Sequence, residues 1–288
     1  MISVIVDSAS DITREEASLI GLKVLPLTVR FGEEEYYDGV TIDSEQFYTK
    51  LVTTDIFPKT SQLTPYGYEE AFREELEKGN DILCLTITSK LSGCYQSANI
   101  AKEVLKDDYP NAKSAIFDTA TASIAEGLLA KEALKLSKEF SLEEVVSKLN
   151  ELRDQVKVIA LIDTLEYLKK GGRISSTVAT LGGILSIKPV LTVNDGLIEV
   201  IGKAKGSRKA NNLLNQFVEK FGGINFNYPI ALAYSGFDRK VLDIYLNDSK
   251  DLYQEMDIND FDVYRLGAVI GSYAGPNGIV LAFFANNK

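Results

Sequence analysis

The amino-acid sequence predicts an α/β fold: an amino-terminal domain with a parallel sheet, followed by a smaller α+β domain. Two observations predict it. Short apolar runs alternate with helical patterns up to about residue 160, as in parallel α/β sheets, whereas antiparallel hairpin signals prevail beyond that point. The 288 residues are enough for two domains, which we place at residues 1–160 and 161–288.

The predicted buried strands are short and almost continuously apolar, a pattern typical of parallel strands covered on both faces. They are Ile2–Val6, Ile82–Thr86, Ala115–Phe117 and Val158–Ile162. Because a parallel strand needs a crossover connection, helices are expected between them.

Capping residues predict where several helices begin. Ser141 with Glu144, and Thr13 with Glu16, have the spacing of capping boxes. Thr64 precedes a proline, which is favoured at the first helical position. These helices follow predicted strands and complete the α/β pattern.

Two hairpins are predicted from turn residues between alternating segments. The first lies within Leu22–Tyr37, with a turn at Phe31–Glu34, and the second turns at Asn194-Asp195-Gly196. Two further strands, Ile230–Tyr234 and Ile279–Phe284, surround a helical stretch at 238–246. The second half is therefore predicted to be α+β.

Charge argues against binding to nucleic acid or to an anionic membrane surface, since the chain carries a formal charge of −10. Residues 157–209 nevertheless carry +5. This window is either a solvated face beside an acidic domain or a surface that docks a partner or a phosphate.

Histidine is absent, which excludes catalysis and metal binding through imidazole. The two cysteines, Cys84 and Cys94, lack metal-site or disulfide spacing and are interpreted as buried thiols. The amino terminus begins directly as a strand, and the sequence has no apolar run long enough for a membrane span. We expect a cytoplasmic protein without a metal or cofactor.

Several polar segments follow predicted strands, where α/β proteins bind ligands. Asp7 and Asp11 flank an acidic turn that either caps a helix or contributes to a site. Thr60 and Ser61 precede one helix. Ser92 begins another, where a hydroxyl and free backbone N–H groups can bind a carboxylate or phosphate, although such residues are often only caps. The sequence has no glycine-rich phosphate loop.

The segment 163–174 contains two adjacent glycines followed by Arg173, which either end a helix or present the arginine. Downstream lies a dense apolar stretch, which is expected to form core or the wall of an apolar tunnel. Its residues are Leu181, Ile184, Leu185, Ile187, Val190 and Leu191.

Taken together in order, these segments resemble the DegV family of bacterial fatty-acid-binding proteins along essentially the whole chain. The segments that carry the resemblance are 6–8, 60–62, 91–98, 163–174 and 271–276. The resemblance implies an amino-terminal α/β domain related to dihydroxyacetone kinase folds, an α+β second domain, and a long-chain fatty acid held between them.

The resemblance also implies roles for individual residues. Hydroxyls matching Thr60 and Ser92 bind the carboxylate, and we group Ser61, Gly93 and Tyr273 with them. Many relatives have histidine where this chain has Tyr273, which can still donate a hydrogen bond but carries no positive charge. Thr119 and Ser123 are placed near the site.

The resemblance further implies a partner, because better-known members carry the acyl chain for a bacterial fatty acid kinase. The separate kinase subunit phosphorylates the bound carboxylate with ATP, and the acyl phosphate enters phospholipid synthesis. Arg173, with Lys170 and Lys203, is assigned to docking of this subunit.

The predicted function is accordingly that of a lipid carrier without catalytic residues of its own. One alternative is a phosphotransferase or hydrolase in which Asp7 and Asp11 hold Mg²⁺. Another is a protein-interaction module without bound lipid.

Overall fold

The computed structural model describes residues 1–174, 187–253, 256 and 261–286. Of the predicted apolar stretch, Leu181, Ile184 and Leu185 lie outside the described residues. The strands are β1 Ile2–Asp7, β2 Lys23–Leu25, β3 Thr28–Phe31, β4 Glu34–Tyr37, β5 Lys59–Ser61, β6 Asp81–Thr86, β7 Ser114–Asp118, β8 Val156–Leu161, β9 Ile187–Asn194, β10 Leu197–Lys205, β11 Ala231–Tyr234, β12 Asp262–Arg265 and β13 Ile279–Phe284. The helices are α1 Arg14–Ile20, α2 Ser44–Thr53, α3 Pro65–Glu77, α4 Cys94–Leu105, α5 Ile124–Leu136, α6 Leu142–Gln155, α7 Glu166–Gly171, α8 Ser207–Lys220, α9 Lys240–Asp248 and α10 Ala268–Ala274.

The amino-terminal half contains a parallel sheet in the order β2-β1-β6-β7. A small antiparallel sheet, β4-β3-β5, lies beside it. The predicted α/β fold is confirmed, as are three of the four buried strands. The first predicted hairpin is confirmed as β3–β4, whereas β2 joins the parallel sheet instead.

The second sheet has six strands in the order β10-β9-β8-β13-β11-β12, and only β11 and β12 are parallel. The prediction that Val158–Ile162 is a parallel strand was wrong, because β8 pairs antiparallel with both β9 and β13. Its continuous apolar sequence reflects burial on both faces rather than parallel pairing. The division at residue 160 stays a prediction; β8, which begins at Val156, lies in the second sheet.

Two helices, α5 and α6, contribute to the core between the sheets. Along α5 nearly every side chain is buried, including the acidic Glu126 and Glu132. One core joins the inner faces of both sheets to these helices. A second core packs the outer face of the parallel sheet against α3 and α4, and a third packs the six-stranded sheet against α8 and α9.

The predicted helix starts agree with the observed caps. Ser141 and Glu144 form a complete capping box, and Thr64 caps α3 with proline at the first position. Thr13 caps α1, but the Glu16 side chain pairs with Lys131. Cys84 and Cys94 are buried free thiols, as predicted.

The tip of the β9–β10 hairpin reaches the amino-terminal half. The Thr88 hydroxyl, beyond the end of β6, donates a 3.1 Å hydrogen bond to the Gly196 carbonyl. Gly196 has a φ of +76°, and a Cβ atom there would lie 2.3 Å from Thr88 Oγ1. This approach requires glycine. Within the described part of the chain, no helix is sufficiently long and apolar to cross a membrane.

Candidate functional site: an apolar cavity with a polar mouth

A cavity lies between the two halves of the molecule, and its walls are mainly apolar. The space open to the centre of a water molecule is about 150 Å³. Side chains from the segments around the parallel sheet, from β8, β9 and β13, and from α7 and α10 line it. The apolar lining residues are Leu27, Ile87, Leu91, Ala122, Val158, Ala160, Ile162, Leu168, Leu191, Val193, Ile198, Val269, Ile270, Ala274 and Val280.

Alternation along β8 explains one wall. Val158, Ala160 and Ile162 all face the cavity, whereas Ile159 and Leu161 point into the core beneath α8. At about 3.3 Å per residue, the three cavity-facing positions span roughly 13 Å. The cavity is therefore long enough to hold an extended apolar chain along the strand.

The polar residues of the lining include the predicted Thr60, Ser61, Ser92, Gly93 and Tyr273. The structure thus brings together all five residues assigned to a carboxylate site. The Thr60 and Tyr273 hydroxyls are 2.5 Å apart, although the two residues are 213 positions apart in sequence. The polar mouth formed by these five residues is the candidate head-group site.

Each mouth residue occupies its position for a local structural reason. Thr60 lies on β5, paired with Val29 of β3. Ser92 and Gly93 follow β6 and immediately precede α4, whose Gly93 cap makes no side-chain hydrogen bond. The Ser92 Oγ accepts the Cys94 N–H at 3.3 Å and lies 3.1 Å from Cys94 Sγ. A helix start of this kind combines a hydroxyl with partial positive charge.

Gln62 also lines the cavity and was not assigned a role from the sequence. Its amide nitrogen donates a 2.9 Å hydrogen bond to the Ser97 hydroxyl. A Cβ atom on Gly93 would lie only 1.9 Å from Gln62 Oε1. Gly93 is therefore required by the close approach of this amide, and its place in the segment 91–98 was the available signal.

Arg173 lines the cavity but remains exposed. Its guanidinium lies 5.4 Å from the centre of the Tyr273 ring and donates to the carbonyls of Leu91 and Gly171. The expectation that the mouth holds only uncharged donors was incomplete, because this cation borders it. Lys170 pairs with Glu166, and neither Lys170 nor the exposed Lys203 lines the cavity.

The two hydroxyl residues placed near the site differ in position. Ser123 lines the cavity and donates a 2.6 Å hydrogen bond to Asp11 Oδ2. Thr119 does not line the cavity; its hydroxyl donates to the Thr86 carbonyl at 2.8 Å. Only Ser123 can therefore contact a bound molecule directly.

The acidic turn acts mainly as a cap. The oxygens of the buried Asp7 accept the N–H groups of Ala9 and Ile87, each at 3.0 Å. Asp11 accepts from Ser123 and from the Gly267 N–H, and neither aspartate lines the cavity. Among the described residues, no group of three or more cysteine, aspartate or glutamate side chains is arranged to hold a metal ion.

Burial shifts the titration of these acids. Desolvation raises the pKa of Asp11 from 3.8 to about 8, against the hydrogen bonds from Ser123 and Gly267, and the negative charge of Asp38 adds to the rise. Desolvation likewise raises the pKa of Asp7 and of Asp38 to about 6. The neutral carboxyl form is thus favoured in the folded protein.

We expect the protein to lose stability as pH rises. Because the folded-state pKa values exceed the unfolded value of 3.8, the stabilisation is complete below that value and is lost as pH passes through about 6 and then about 8. The melting temperature should therefore fall between about pH 5 and about pH 9. Asp11→Asn should flatten the upper part of this decline, and an unchanged profile in that variant would contradict the assignment.

Gly171 ends α7 directly against Tyr273. A Cβ atom there would lie 2.4 Å from Cε1 of the Tyr273 ring, which cannot bend away as a flexible chain would. Gly171→Ala should therefore displace the phenol from Thr60 and destabilise the protein in denaturant unfolding. In a Tyr273→Ala background, the same substitution should be neutral or stabilising, by up to about 1 kcal/mol, because alanine favours helices. Equal effects in both backgrounds would contradict this contact.

The fold and the site together define an α/β protein whose halves enclose a mostly apolar cavity with a hydroxyl-lined mouth. The chain belongs to the DegV family: residues 1–286 match the family described as "Uncharacterised protein, DegV family".

Three solved structures show the same fold over nearly the whole chain. A DegV family protein from Thermus thermophilus, described by its fatty acid binding, is 31% identical with a TM-score of 0.85, covering 98% of this chain and 99% of its own. A stearic-acid-binding protein from Eubacterium ventriosum is 29% identical with a TM-score of 0.87, covering 98% and 97%. The Streptococcus pneumoniae Fatty Acid Kinase (Fak) B3 protein, loaded with linoleic acid, is 23% identical with a TM-score of 0.85, covering 99% and 100%.

Proposed function

We propose that this protein binds a long-chain fatty acid and carries it to a separate ATP-dependent kinase subunit. The observation that carries the proposal is the apolar cavity between the two halves, which ends at the hydroxyls of Thr60, Ser92 and Tyr273. Similar proteins that bind fatty acids support this ligand class. The acyl chain lies along β8, and the carboxylate lies at the mouth.

The tail supplies most of the affinity. Burying a chain of ~16 carbons yields roughly 12 kcal/mol before the entropic costs of binding are subtracted. An ionised carboxylate loses several kcal/mol of hydration if it is left without donors. The hydroxyls of the mouth and the N–H groups at the start of α4 meet this need.

The hydroxyl pair of Thr60 and Tyr273 prepares the mouth for this head group. In the absence of ligand each hydroxyl satisfies the other. A carboxylate entering between them accepts from both, so neither group is left unpaired in either state. Because Tyr273 stays uncharged at neutral pH, the carboxylate is bound without an ion pair at this position and retains its nucleophilic oxygens for the kinase.

Mass spectrometry of an organic extract from gently purified protein tests the ligand. We expect a stoichiometric long-chain fatty acid; repeated recovery of protein without lipid, combined with no uptake of added palmitate, would contradict the proposal. Incubation with ATP, Mg²⁺ and palmitate tests the division of labour. Turnover in the absence of a kinase subunit would support an enzyme instead of a carrier.

Arg173 is proposed as the main residue that docks the kinase subunit, with Lys170 and Lys203. Its exposed guanidinium borders the mouth, where a partner must approach to reach the carboxylate. The surrounding +5 window favours an acidic partner surface.

Arg173→Ala should reduce kinase-dependent acyl phosphate formation by roughly tenfold or more, since a docking charge is lost. Palmitate affinity should change less than about fivefold, because only a cation–π contact with Tyr273 disappears. Lys138→Ala, which removes an exposed charge between α5 and α6, is the matched control. If loading and phosphate transfer fall in parallel, Arg173 binds the lipid rather than the partner.

A further inference from the structure

Helix α10 has its amino terminus held by two buried carboxylates from the other half of the chain. Asp11 Oδ1 accepts the Gly267 N–H at 2.8 Å. Asp38 accepts the next two, from Ala268 to Oδ1 at 2.8 Å and from Val269 to Oδ2 at 3.2 Å. Three consecutive N–H groups at the helix start are thus satisfied by two side chains.

The same helix forms part of the cavity. Val269, Ile270, Tyr273 and Ala274 all line it, and Tyr273 contributes its hydroxyl to the mouth. Because α10 spans only Ala268–Ala274, the phenol lies little more than one turn from the carboxylates. A shift of the helix start is therefore passed directly to the Tyr273 side chain.

Each carboxylate is also joined to another part of the cavity wall. Asp11 receives the hydroxyl of Ser123, which lines the cavity. Asp38 receives the Ser8 hydroxyl at 3.1 Å, and Ser8 in turn accepts the N–H of Leu27, a lining residue, at 3.1 Å. The two aspartates therefore fix α10 relative to fixed points of the amino-terminal wall.

A carboxylate suits this task better than a hydroxyl. Asp38 uses both oxygens on adjacent N–H groups, so it sets the direction of the helix axis as well as its position. Space is also limited, because a Cβ atom on Gly267 would lie 3.1 Å from Asp38 Oδ2. On the opposite face, Gly271 packs against Phe47 and Tyr48.

We propose that Asp38, together with Asp11, is a positioning residue for the head-group site and holds the Tyr273 hydroxyl against Thr60. The inference rests on the proposed function and extends it to residues outside the cavity lining. Asp38 never touches the ligand. It acts only through α10, so its effect on binding must pass through the Tyr273 hydroxyl.

A double-mutant cycle on palmitate affinity tests this inference. Asp38→Asn keeps the size of the side chain but loses one acceptor, and should weaken palmitate binding about tenfold. In a Tyr273→Phe background, which has already lost the hydroxyl, the same substitution should cause less than about a twofold further loss. Ser141→Ala removes the cap of α6 and should leave palmitate affinity unchanged in both backgrounds.

The outcomes separate this inference from the proposed function. Losses that add fully in the two backgrounds would overturn it, because Asp38 would then act only on general stability. A wild-type protein that takes up no palmitate would overturn the proposed function, and this inference with it. If Asp38→Asn does not fold, Gly267→Ala provides the cycle, since it crowds the helix start while keeping both carboxylates; full additivity there would likewise overturn the proposal.

Discussion

Replacing Ala160 by phenylalanine should abolish tight binding of long-chain fatty acids. Ala160 lies between Val158 and Ile162 on the cavity-facing side of β8, so a phenyl ring there fills the middle of the space. Excluding four to six methylene groups costs roughly 3–5 kcal/mol, which corresponds to at least about a hundredfold loss of affinity. Isothermal titration with palmitate measures this loss.

The control for this prediction is a second substitution at the same site. Ala160→Ser adds only one oxygen atom and should retain affinity within about tenfold, since it leaves the cavity open. Both variants should unfold with cooperative transitions, because the larger side chain enters empty space rather than a packed core. Palmitate binding of wild-type strength in the phenylalanine variant would show that the chain does not lie along β8.

Removing the Ser92 hydroxyl should weaken palmitate binding by about tenfold to a hundredfold. A hydrogen bond to a charged group contributes about 1.5–3 kcal/mol, and the ionised carboxylate cannot regain it from the apolar walls. Acyl phosphate formation with a kinase subunit should slow as well, because the carboxylate is no longer held in one orientation. Equilibrium titration and a coupled ATP assay measure the two effects.

Ser89→Ala is the matched control for Ser92. It changes the same residue type in the same loop, but the Ser89 side chain is exposed and does not line the cavity. Its affinity for palmitate should equal that of the unaltered protein. Full loading and full transfer in Ser92→Ala would contradict the position of the carboxylate.

The sequence was most informative where a single segment carries the whole signal. Cap residues such as Ser141 and Thr64 act within one turn of helix, so their neighbours in sequence are also their neighbours in space. The Asn194–Gly196 turn likewise contains all that its hairpin requires. These elements were predicted correctly for that reason.

Features that depend on distant partners were predicted less well. The strand direction of β8 follows from β9 and β13, which come later in the chain, so its apolar sequence alone was misleading. Asp38 gave no signal, because an aspartate before a glycine is typical of any turn. Its role arises only when α10, about 230 residues later, is packed against it.

The five mouth residues occupy an intermediate case. Motifs identified each of them, but their mutual distances could not be derived from spacing in the sequence. Thr60 and Tyr273 meet only because β5 and α10 pack together at the same end of the cavity. Gln62 lay inside a recognised segment, yet its contact with Gly93 required coordinates. The compartment predicted from the sequence, the cytoplasm, stays a prediction.

The contact between Thr88 and Gly196 bears on how cargo is exchanged. The β9–β10 hairpin supplies Leu191, Val193 and Ile198 to the cavity, and a hydrogen bond anchors its tip to the opposite half. One such bond contributes only about 1 kcal/mol, so it can break often at ordinary temperature. A wall fastened so lightly behaves as a hinged flap. It lets a greasy chain enter sideways and need not be threaded end-on, so the speed of loading is governed separately from its strength.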